Sequence, residues 1–156
     1  MPSILFVCTA NICRSPIAMG LLQQMLKDKQ VEGEWIVESA GTWGLDGDAA
    51  AAGSQAVMAG RGIDISQHRA RSVDYDLLAS FDLILTMENG HKEALCMEFP
   101  EVSKRIYLLS EMAGEKSDIT DPYGGPYSGY ERAAEDIQAY LENGLDQILL
   151  LAAHPN

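Results

Sequence analysis

A thiol and a guanidinium lie close together near the start of the chain, with five residues between Cys8 and Arg14. A short apolar run, Ile4 to Val7, precedes the cysteine, and a helical pattern follows the arginine. A loop that turns from a strand into a helix can point backbone N–H groups at an anion, and the helix N-terminus adds a partial positive charge. A guanidinium matches two phosphate oxygens. The spacing therefore predicts a site that binds an oxyanion and attacks it with sulfur.

The neighbours of these two residues favour the same interpretation. A positive field around Cys8 favours the thiolate, which is the nucleophilic form of cysteine. Ser15 and Pro16 fit a helix N-cap followed by proline at the first helical position. The Ser15 hydroxyl could also hydrogen-bond the Cys8 sulfur. Taken alone, a cysteine and an arginine at this spacing also arise by chance, as a buried thiol and an arginine that begins a helix.

The length and composition indicate one globular domain. The chain has 156 residues, of which 47% are hydrophobic, and we assign residues 1–156 to a single domain. No apolar run is long enough to span a bilayer, and the N-terminus lacks a signal-type pattern. Three cysteines, an odd number, favour reduced thiols over a disulfide framework. We therefore expect a cytoplasmic protein that does not act at a membrane.

The net charge of −12 limits the choice of partner. Such a chain is a poor candidate for binding nucleic acid or anionic membranes. An anionic substrate would have to be attracted locally, against the long-range field. The sequence has neither of the two glycine-rich nucleotide fingerprints, and Cys8 and Cys13 lack a second ligand pair at zinc spacing. We therefore expect no metal and no cofactor.

Apolar runs alternate with helical patterns along the chain. The predicted strands are residues 4–8, 35–38, 82–87 and 105–109, and the predicted helices are residues 16–29, 49–61, 75–79, 88–97 and 129–153. This order predicts an α/β fold, a three-layer sandwich with a short four-stranded parallel sheet and helices on both faces. Ligands bind at the carboxyl ends of the strands in such sheets, and Cys8 stands at such an end.

The stretch from Val7 to Pro16, VCTANICRSP in one-letter code, resembles the signature of the low-molecular-weight protein tyrosine phosphatases. That family carries Cys-x-x-Asn-x-Cys-Arg-Ser-Pro after a hydrophobic strand. Ala10 departs from it, because glycine is common there and alanine tolerates fewer backbone conformations. The resemblance covers nearly the whole chain. It implies hydrolysis of phosphotyrosine, an aryl phosphate monoester, through a phosphocysteine intermediate, with inorganic phosphate as product.

The resemblance also implies roles for individual residues. Cys8 would be the nucleophile, and Arg14 would stabilise the transition state. The substrate-binding residues would be Thr9, Ala10, Asn11, Ile12, Cys13, Arg14, Ser15, Trp43 and Tyr123. Ser39 and His68 match positions that hydrogen-bond Asn11 and support the loop. The spacing of Cys13 further suggests a disulfide with Cys8 under peroxide, which would shield the nucleophile.

A thiolate phosphatase needs a proton donor for the leaving oxygen. From composition alone, Asp121-Pro122 is only a turn. The family carries an Asp-Pro with a following aromatic residue here, so the resemblance implies that Asp121 is the general acid, with Asp118 as runner-up. Trp43 and Tyr123 could form the walls of a slot that accepts a phenyl phosphate. Phosphoserine would then be too short to reach the thiolate of Cys8. The match is loosest at Trp43, because the family's aromatic lies about two residues later.

Three other functions remain open. Thioredoxin-coupled arsenate reductases need two further cysteines, and this chain offers only Cys96 beyond the loop. Bacterial protein-arginine phosphatases carry threonine where this chain has Ile12, and a branched apolar side chain favours the tyrosine-type pocket. Cys8, Arg14 and Asp121 are all intact, which argues against a phosphopeptide-binding module without turnover. The resemblance thus favours a phosphotyrosine-containing protein substrate and, as in bacterial members, a tyrosine autokinase as partner.

Overall fold

The computed structural model describes residues 1–155, so Asn156, the last residue of the predicted domain, lies outside the described residues. Four strands alternate with five α-helices. The strands are β1 Ser3–Cys8, β2 Ile36–Gly41, β3 Leu83–Thr86 and β4 Ile106–Leu108. The α-helices are α1 Arg14–Asp28, α2 Ala52–Ala59, α3 Tyr75–Ala79, α4 Asn89–Glu98 and α5 Tyr127–Ala153. Short 3-10 helices span Glu32–Glu34, Pro100–Arg105 and Leu109–Ala113.

The strands form one parallel sheet in the order β2-β1-β3-β4. β1 lies between β2 and β3, and all six of its residues are buried. A run that is apolar on both faces is what a central parallel strand requires, because helices cover both sides of the sheet. The predicted α/β fold with a four-stranded parallel sheet is confirmed. Cys8 ends the central strand and pairs with Gly41 of β2.

Two hydrophobic cores fill the spaces on either side of the sheet. Alternate residues of β1 point to opposite faces. Ile4 and Phe6 enter the core beneath α1, α2 and α5, whereas Leu5 and Val7 enter the core beneath α3 and α4. The expected helices on both faces are therefore present. Within residues 1–155, no helix has both the length and the apolar character needed to cross a membrane.

Three predicted helix starts are wrong by two or three residues: α5 begins at Tyr127 rather than at residue 129, and the starts of α1 and α2 differ for reasons that concern the site. α1 begins at Arg14 with Cys13 as its N-cap, so Ser15 is not the cap residue. The Ser15 side chain is instead hydrogen-bonded to the groups behind the loop, namely Cys8 and Asn11. α2 begins three residues later than predicted, because the N–H of Ala51 donates to a loop carbonyl and its backbone is extended.

The long helix α5 closes the larger core. Its apolar face is buried, including Ile137, Leu141 and Ile148, while Tyr140 is only partly buried. Gly144 lies where α5 crosses the 3-10 helix Leu109–Ala113. A Cβ atom at Gly144 would lie 2.7 Å from Cβ of Met112 and 2.8 Å from its backbone carbon. Glycine is therefore required by close packing at this crossing.

Gly144→Ala should destabilise the protein although alanine favours a helix. The forced separation of α5 from Met112 should lower the free energy of unfolding by about 1–3 kcal/mol. Gly90→Ala is the matched control, because Gly90 is also helical and a Cβ there meets nothing within 4 Å. It should leave stability unchanged or raise it by up to about 1 kcal/mol. Urea unfolding measures both, and equal effects of the two variants would contradict the packing argument.

Candidate active site

The loop between β1 and α1, residues 9–13, is held by its carbonyl groups. The carbonyls of Cys8, Thr9, Ala10 and Ile12 accept hydrogen bonds from the N–H groups of Thr42, Trp43, Leu45 and Ala51. In the described part of the chain, no N–H group of residues 9–13 donates to a backbone carbonyl. The carbonyls are therefore turned toward the segment after β2, and the N–H groups are free for an anion.

Asn11 has a left-handed backbone, with φ of 62°, and is fully buried. Its side-chain nitrogen donates to Ser15 Oγ at 2.8 Å and to Ser39 Oγ at 3.0 Å. Its side-chain oxygen accepts from the N–H of Arg71 at 3.0 Å. His68 Nε2 donates to its backbone carbonyl at 2.7 Å. The residues expected to support the loop thus contact it, and burial lowers the pKa of His68, which favours the neutral ring.

Arg14 is 1% exposed and lies beneath the loop. Its Nη1 donates to Glu88 Oε2 at 2.6 Å and to the Ile119 carbonyl at 2.7 Å. Its Nη2 lies 3.4 Å from Thr9 Oγ1 and 3.8 Å from Asp121 Oδ2. Its Nε has no hydrogen-bond partner among residues 1–155. A buried unpaired donor is costly, so this Nε–H identifies where an oxyanion would bind.

Cys8 lies at the base of a cavity of about 250 Å³. Its sulfur is 3.0 Å from Ser15 Oγ. The Ser15 oxygen accepts from Asn11, and its hydroxyl hydrogen has two acceptors in reach, the Cys8 sulfur at 3.0 Å and the Ala40 carbonyl at 3.5 Å, of which the sulfur is the nearer. The cavity is lined by Cys8, Thr9, Ala10, Ile12, Cys13, Arg14, Trp43, Leu45, Asp121 and Tyr123. A larger depression of about 490 Å³ beside α2 has no cysteine or histidine in its lining, and we assign it no chemistry.

Most of the predicted site residues meet in this cavity, but Asn11 and Ser15 lie behind its wall. Trp43 and Tyr123 stand at its rim with 79% and 66% of their surface exposed. Asp121 is also at the rim, and its Oδ1 accepts from the N–H of Tyr123 at 3.1 Å. Asp118, the runner-up for the acid, instead accepts from the N–H of Asn89 at the start of α4. The geometry therefore favours Asp121 over Asp118.

Cys13 also lines the cavity, but its sulfur has a different hydrogen-bond partner from that of Cys8. Its thiol is directed at the Tyr130 hydroxyl, 3.9 Å away. Burial is the main cause that raises the pKa of Cys13 to about 11, and the nearby Asp121 contributes. Cys13 is therefore a neutral thiol at pH 7. All three cysteines of the chain are unbridged.

Several residues around the site were not predicted from the sequence. Glu88, the partner of Arg14, lies just beyond the carboxyl end of β3. Because ligands bind at this end of parallel strands, its position is a signal that could have identified it. Arg71 and Leu45 carry no such signal, because a backbone N–H contact and an exposed leucine have no sequence pattern. His91, which contacts Thr9, was also missed.

The described residues contain no group of three His, Cys, Asp or Glu side chains placed to hold a metal ion. The residues that converge are a thiol, a buried guanidinium, free N–H groups and a carboxylate. This set can attack a phosphoryl group, stabilise its charge and protonate a leaving oxygen. Fold and site together define a cysteine-dependent phosphomonoesterase.

Comparison with known proteins defines the family. A family model described as low molecular weight phosphotyrosine protein phosphatase matches residues 3–150, so the chain belongs to this family of cysteine-based protein tyrosine phosphatases. A probable low molecular weight protein-tyrosine-phosphatase, EpsP of Ralstonia nicotianae, is 38% identical over 96% of this chain and 97% of its own. The family resemblance seen in the sequence, and the cysteine-dependent tyrosine phosphatase it implied, are confirmed.

Two further similar proteins are named as phosphatases of different substrates. A protein-arginine-phosphatase of Geobacillus stearothermophilus is 34% identical over 89% of this chain and 90% of its own. The crystal structure of a low molecular weight protein tyrosine phosphatase from T. tengcongensis superposes with a TM-score of 0.88 at 34% identity, and the match covers 94% of this chain and 99% of that one. The same fold therefore occurs in enzymes named for two different phosphoryl substrates.

Replacing Asn11 should test whether its hydrogen bonds hold the loop. Asn11→Gly keeps the left-handed backbone but loses three side-chain bonds, which should lower the free energy of unfolding by roughly 2–3 kcal/mol. Asn11→Ala should cost about 1 kcal/mol more, because alanine disfavours this backbone. Both variants should turn over p-nitrophenyl phosphate more slowly. Chemical unfolding and steady-state kinetics measure the effects, and a fully active, fully stable Asn11→Ala protein would exclude this role.

Proposed function

We propose that this protein removes phosphate from phosphotyrosine in proteins, with Cys8 as nucleophile, Arg14 as phosphoryl ligand and Asp121 as general acid. The observation that carries the assignment is the unpaired Nε of the buried Arg14, which lines the same cavity as the thiol of Cys8. A phosphoryl group that accepts from this Nε–H and from the free loop N–H groups lies above the sulfur. Three of its oxygens are then stabilised while the fourth leaves.

In the first step, the Cys8 thiolate attacks phosphorus in line with the leaving oxygen. Negative charge spreads over the equatorial oxygens, where Arg14 and the loop N–H groups stabilise it. The Ser15 hydroxyl, 3.0 Å from the sulfur, stabilises the thiolate before attack. Asp121 protonates the phenolate as the P–O bond breaks. The products of this step are phosphocysteine and the free tyrosine hydroxyl.

In the second step, water hydrolyses phosphocysteine. Asp121, now ionised, takes a proton from the water as the P–S bond breaks and the thiolate is restored. Its side chain is 49% exposed, so it can reach both the leaving group and solvent at the rim. Its Oδ2 lies 3.8 Å from Arg14 Nη2, so the acid and the phosphoryl ligand face the same space. Inorganic phosphate then leaves, and neither step requires a metal or cofactor.

The rim of the cavity supports an aromatic substrate. Trp43 and Tyr123 are large exposed side chains at its mouth, and Ile12 contributes an apolar wall. A phenyl ring can pack between aromatic faces, and such pairs add about 0.5–1.5 kcal/mol beyond the buried area. A phosphoserine side chain is shorter than a phosphotyrosine side chain and has no ring, so it gains none of these contacts at the rim. Phosphotyrosine is therefore the substrate that the cavity fits best.

Arginine phosphorylation is the second candidate substrate. The relative from Geobacillus stearothermophilus is named a protein-arginine-phosphatase and covers most of this chain. The phosphoarginine headgroup is planar and polar, and it would leave hydrogen-bond donors next to the branched apolar side chain of Ile12. An unpaired buried polar group costs about 1–3 kcal/mol. This argues for phosphotyrosine as the preferred substrate and makes direct comparison of the two essential.

The physiological setting follows from the same proposal. We place the protein in the cytoplasm, which is supported by three unbridged cysteines. The partner would be a protein that carries phosphotyrosine, and a bacterial tyrosine autokinase is the specific partner that we propose. We expect no nucleic-acid partner, because the net charge is −12.

Turnover of phosphotyrosine, phosphoserine and phosphoarginine, measured side by side, tests the function directly. We expect phosphotyrosine to have the highest kcat/KM, and a higher value for phosphoarginine would replace the proposal with the second candidate. Cys8→Ser should abolish turnover of p-nitrophenyl phosphate, because the thiolate is lost, while orthovanadate binding stays measurable. Cys96→Ser is the matched control, since Cys96 lies on α4 outside the cavity, and it should remain fully active.

Asp121→Asn should slow the reaction without abolishing it. Loss of a general acid typically costs about 10²–10⁴-fold in rate. The loss should be larger for phenyl phosphate than for p-nitrophenyl phosphate, because nitrophenolate leaves without help. The control is Asp118→Asn, whose amide oxygen can still accept from Asn89. Steady-state kinetics on both esters decide, and an equal loss for the two esters would remove Asp121 from this role.

A further inference from the structure

His91 is buried beside the loop, and both of its ring nitrogens are hydrogen-bonded. Nδ1 lies 3.2 Å from the backbone nitrogen of Glu88, and Nε2 lies 2.8 Å from Thr9 Oγ1. A backbone N–H can only donate, so Nδ1 must accept. A neutral imidazole then carries its hydrogen on Nε2, which donates to Thr9. Burial and the charge of Arg14 lower the pKa of His91, so the ring is neutral at pH 7.

The Thr9 hydroxyl is therefore constrained to one role. Its oxygen accepts from His91 Nε2 and lies 3.4 Å from Arg14 Nη2, which can only donate. Two donors occupy its two lone pairs, and only the hydroxyl hydrogen remains for another contact. Across residues 1–155, no hydrogen bond donated by this hydroxyl is found, and Thr9 lines the cavity.

We propose that Thr9 donates a hydrogen bond to the bound phosphoryl group and that His91 is the positioning residue that fixes this direction. The proposal rests on the phosphatase function proposed above. Without the Nε2–H of His91, the Thr9 hydroxyl can rotate and present a lone pair to the anion, which repels it. When His91 Nε2–H is bonded to the Thr9 oxygen, the loop has a side-chain donor next to Arg14 in addition to its backbone N–H groups.

Glu88 links this contact to Arg14. It supplies the N–H that fixes the His91 ring, and its carboxylate accepts from Arg14 Nη1 at 2.6 Å. Glu88, the N-cap residue of α4, and His91 in its first turn therefore orient both donors of the site, the guanidinium through a charge pair and the hydroxyl through the imidazole. A hydrogen bond to a charged acceptor corresponds to roughly 10- to 100-fold in affinity. That range sets the size of effect expected for Thr9.

Thr9 variants test the donor. Thr9→Val keeps the shape of the side chain and removes the hydroxyl, and it should weaken competitive inhibition by orthovanadate and lower kcat/KM for p-nitrophenyl phosphate by roughly 10-fold or more. Thr9→Ser keeps the hydroxyl and should retain activity within about threefold, a difference below a single hydrogen bond. If Thr9→Val binds orthovanadate as tightly as the unmodified protein, the proposal is wrong.

His91→Asn tests the positioning. The asparagine amide oxygen can accept from the Glu88 N–H, but the shorter side chain does not reach Thr9. This variant should lose several-fold in orthovanadate affinity, and it should cause no further loss when combined with Thr9→Val, because the two residues act on one contact. If the losses in orthovanadate affinity of the two single variants multiply in the double variant, His91 does not act through Thr9. Asp74→Ala is the control, because it removes the N-cap contact of α3 to Leu77 and should leave kcat/KM unchanged.

The tautomer of His91 gives a readout that needs no variant. Nitrogen-15 spectra of the imidazole should show hydrogen on Nε2 and none on Nδ1 at pH 7. Hydrogen on Nδ1 would reverse the Thr9 contact and overturn the proposal, even if the His91 variant failed to fold. Should the protein not hydrolyse phosphotyrosine, the function proposed above fails, whereas orthovanadate binding and the tautomer still decide the roles of Thr9 and His91.

Discussion

The left-handed backbone of Asn11 is the constraint on which the site depends. A non-glycine residue in this conformation costs about 1–2 kcal/mol. Three side-chain hydrogen bonds and one to its carbonyl oppose that cost, each with a net contribution of about 1 kcal/mol. Alternation of left- and right-handed residues turns successive N–H groups to one side of a loop, which is how backbone binds an anion. The polar contacts behind the loop therefore determine the charge presented at its front.

Arg14 adds a second constraint, because a buried cation is stable only when it is compensated. Glu88 and the Ile119 carbonyl compensate its Nη1, whereas Nε has no partner. A guanidinium with every donor paired would have no capacity left for a phosphoryl group. One with none paired would not remain 1% exposed, since an uncompensated buried charge costs several kcal/mol. The partial pairing thus suits both burial and binding.

Strands and helices, which depend on neighbouring residues, could be predicted from the sequence, whereas contacts between distant segments of the chain could not. The strand before Cys8 and the αβ alternation follow from apolar runs and periodicity, so the sheet and its two helical layers could be predicted. The contact of Ser15 with Cys8 was expected, but the start of α1 was not, because the Ser15 side chain also accepts from Asn11 and does not cap the helix. Glu88 and Ile119 contact Arg14 across 74 and 105 residues, and no local pattern encodes such pairs.

Local contacts also explain how a protein with a net charge of −12 can bind an anionic substrate. Arg61, Arg71 and Lys92 each pair with a carboxylate on the surface, so they add little positive field. At physiological salt the Debye length is about 8 Å, and the net negative field fades beyond that distance. Within it, a phosphoryl group meets Arg14 and the loop N–H groups rather than the whole surface. Selectivity must therefore arise from contacts in the cavity and at its aromatic rim, because long-range steering would oppose every phosphorylated partner alike.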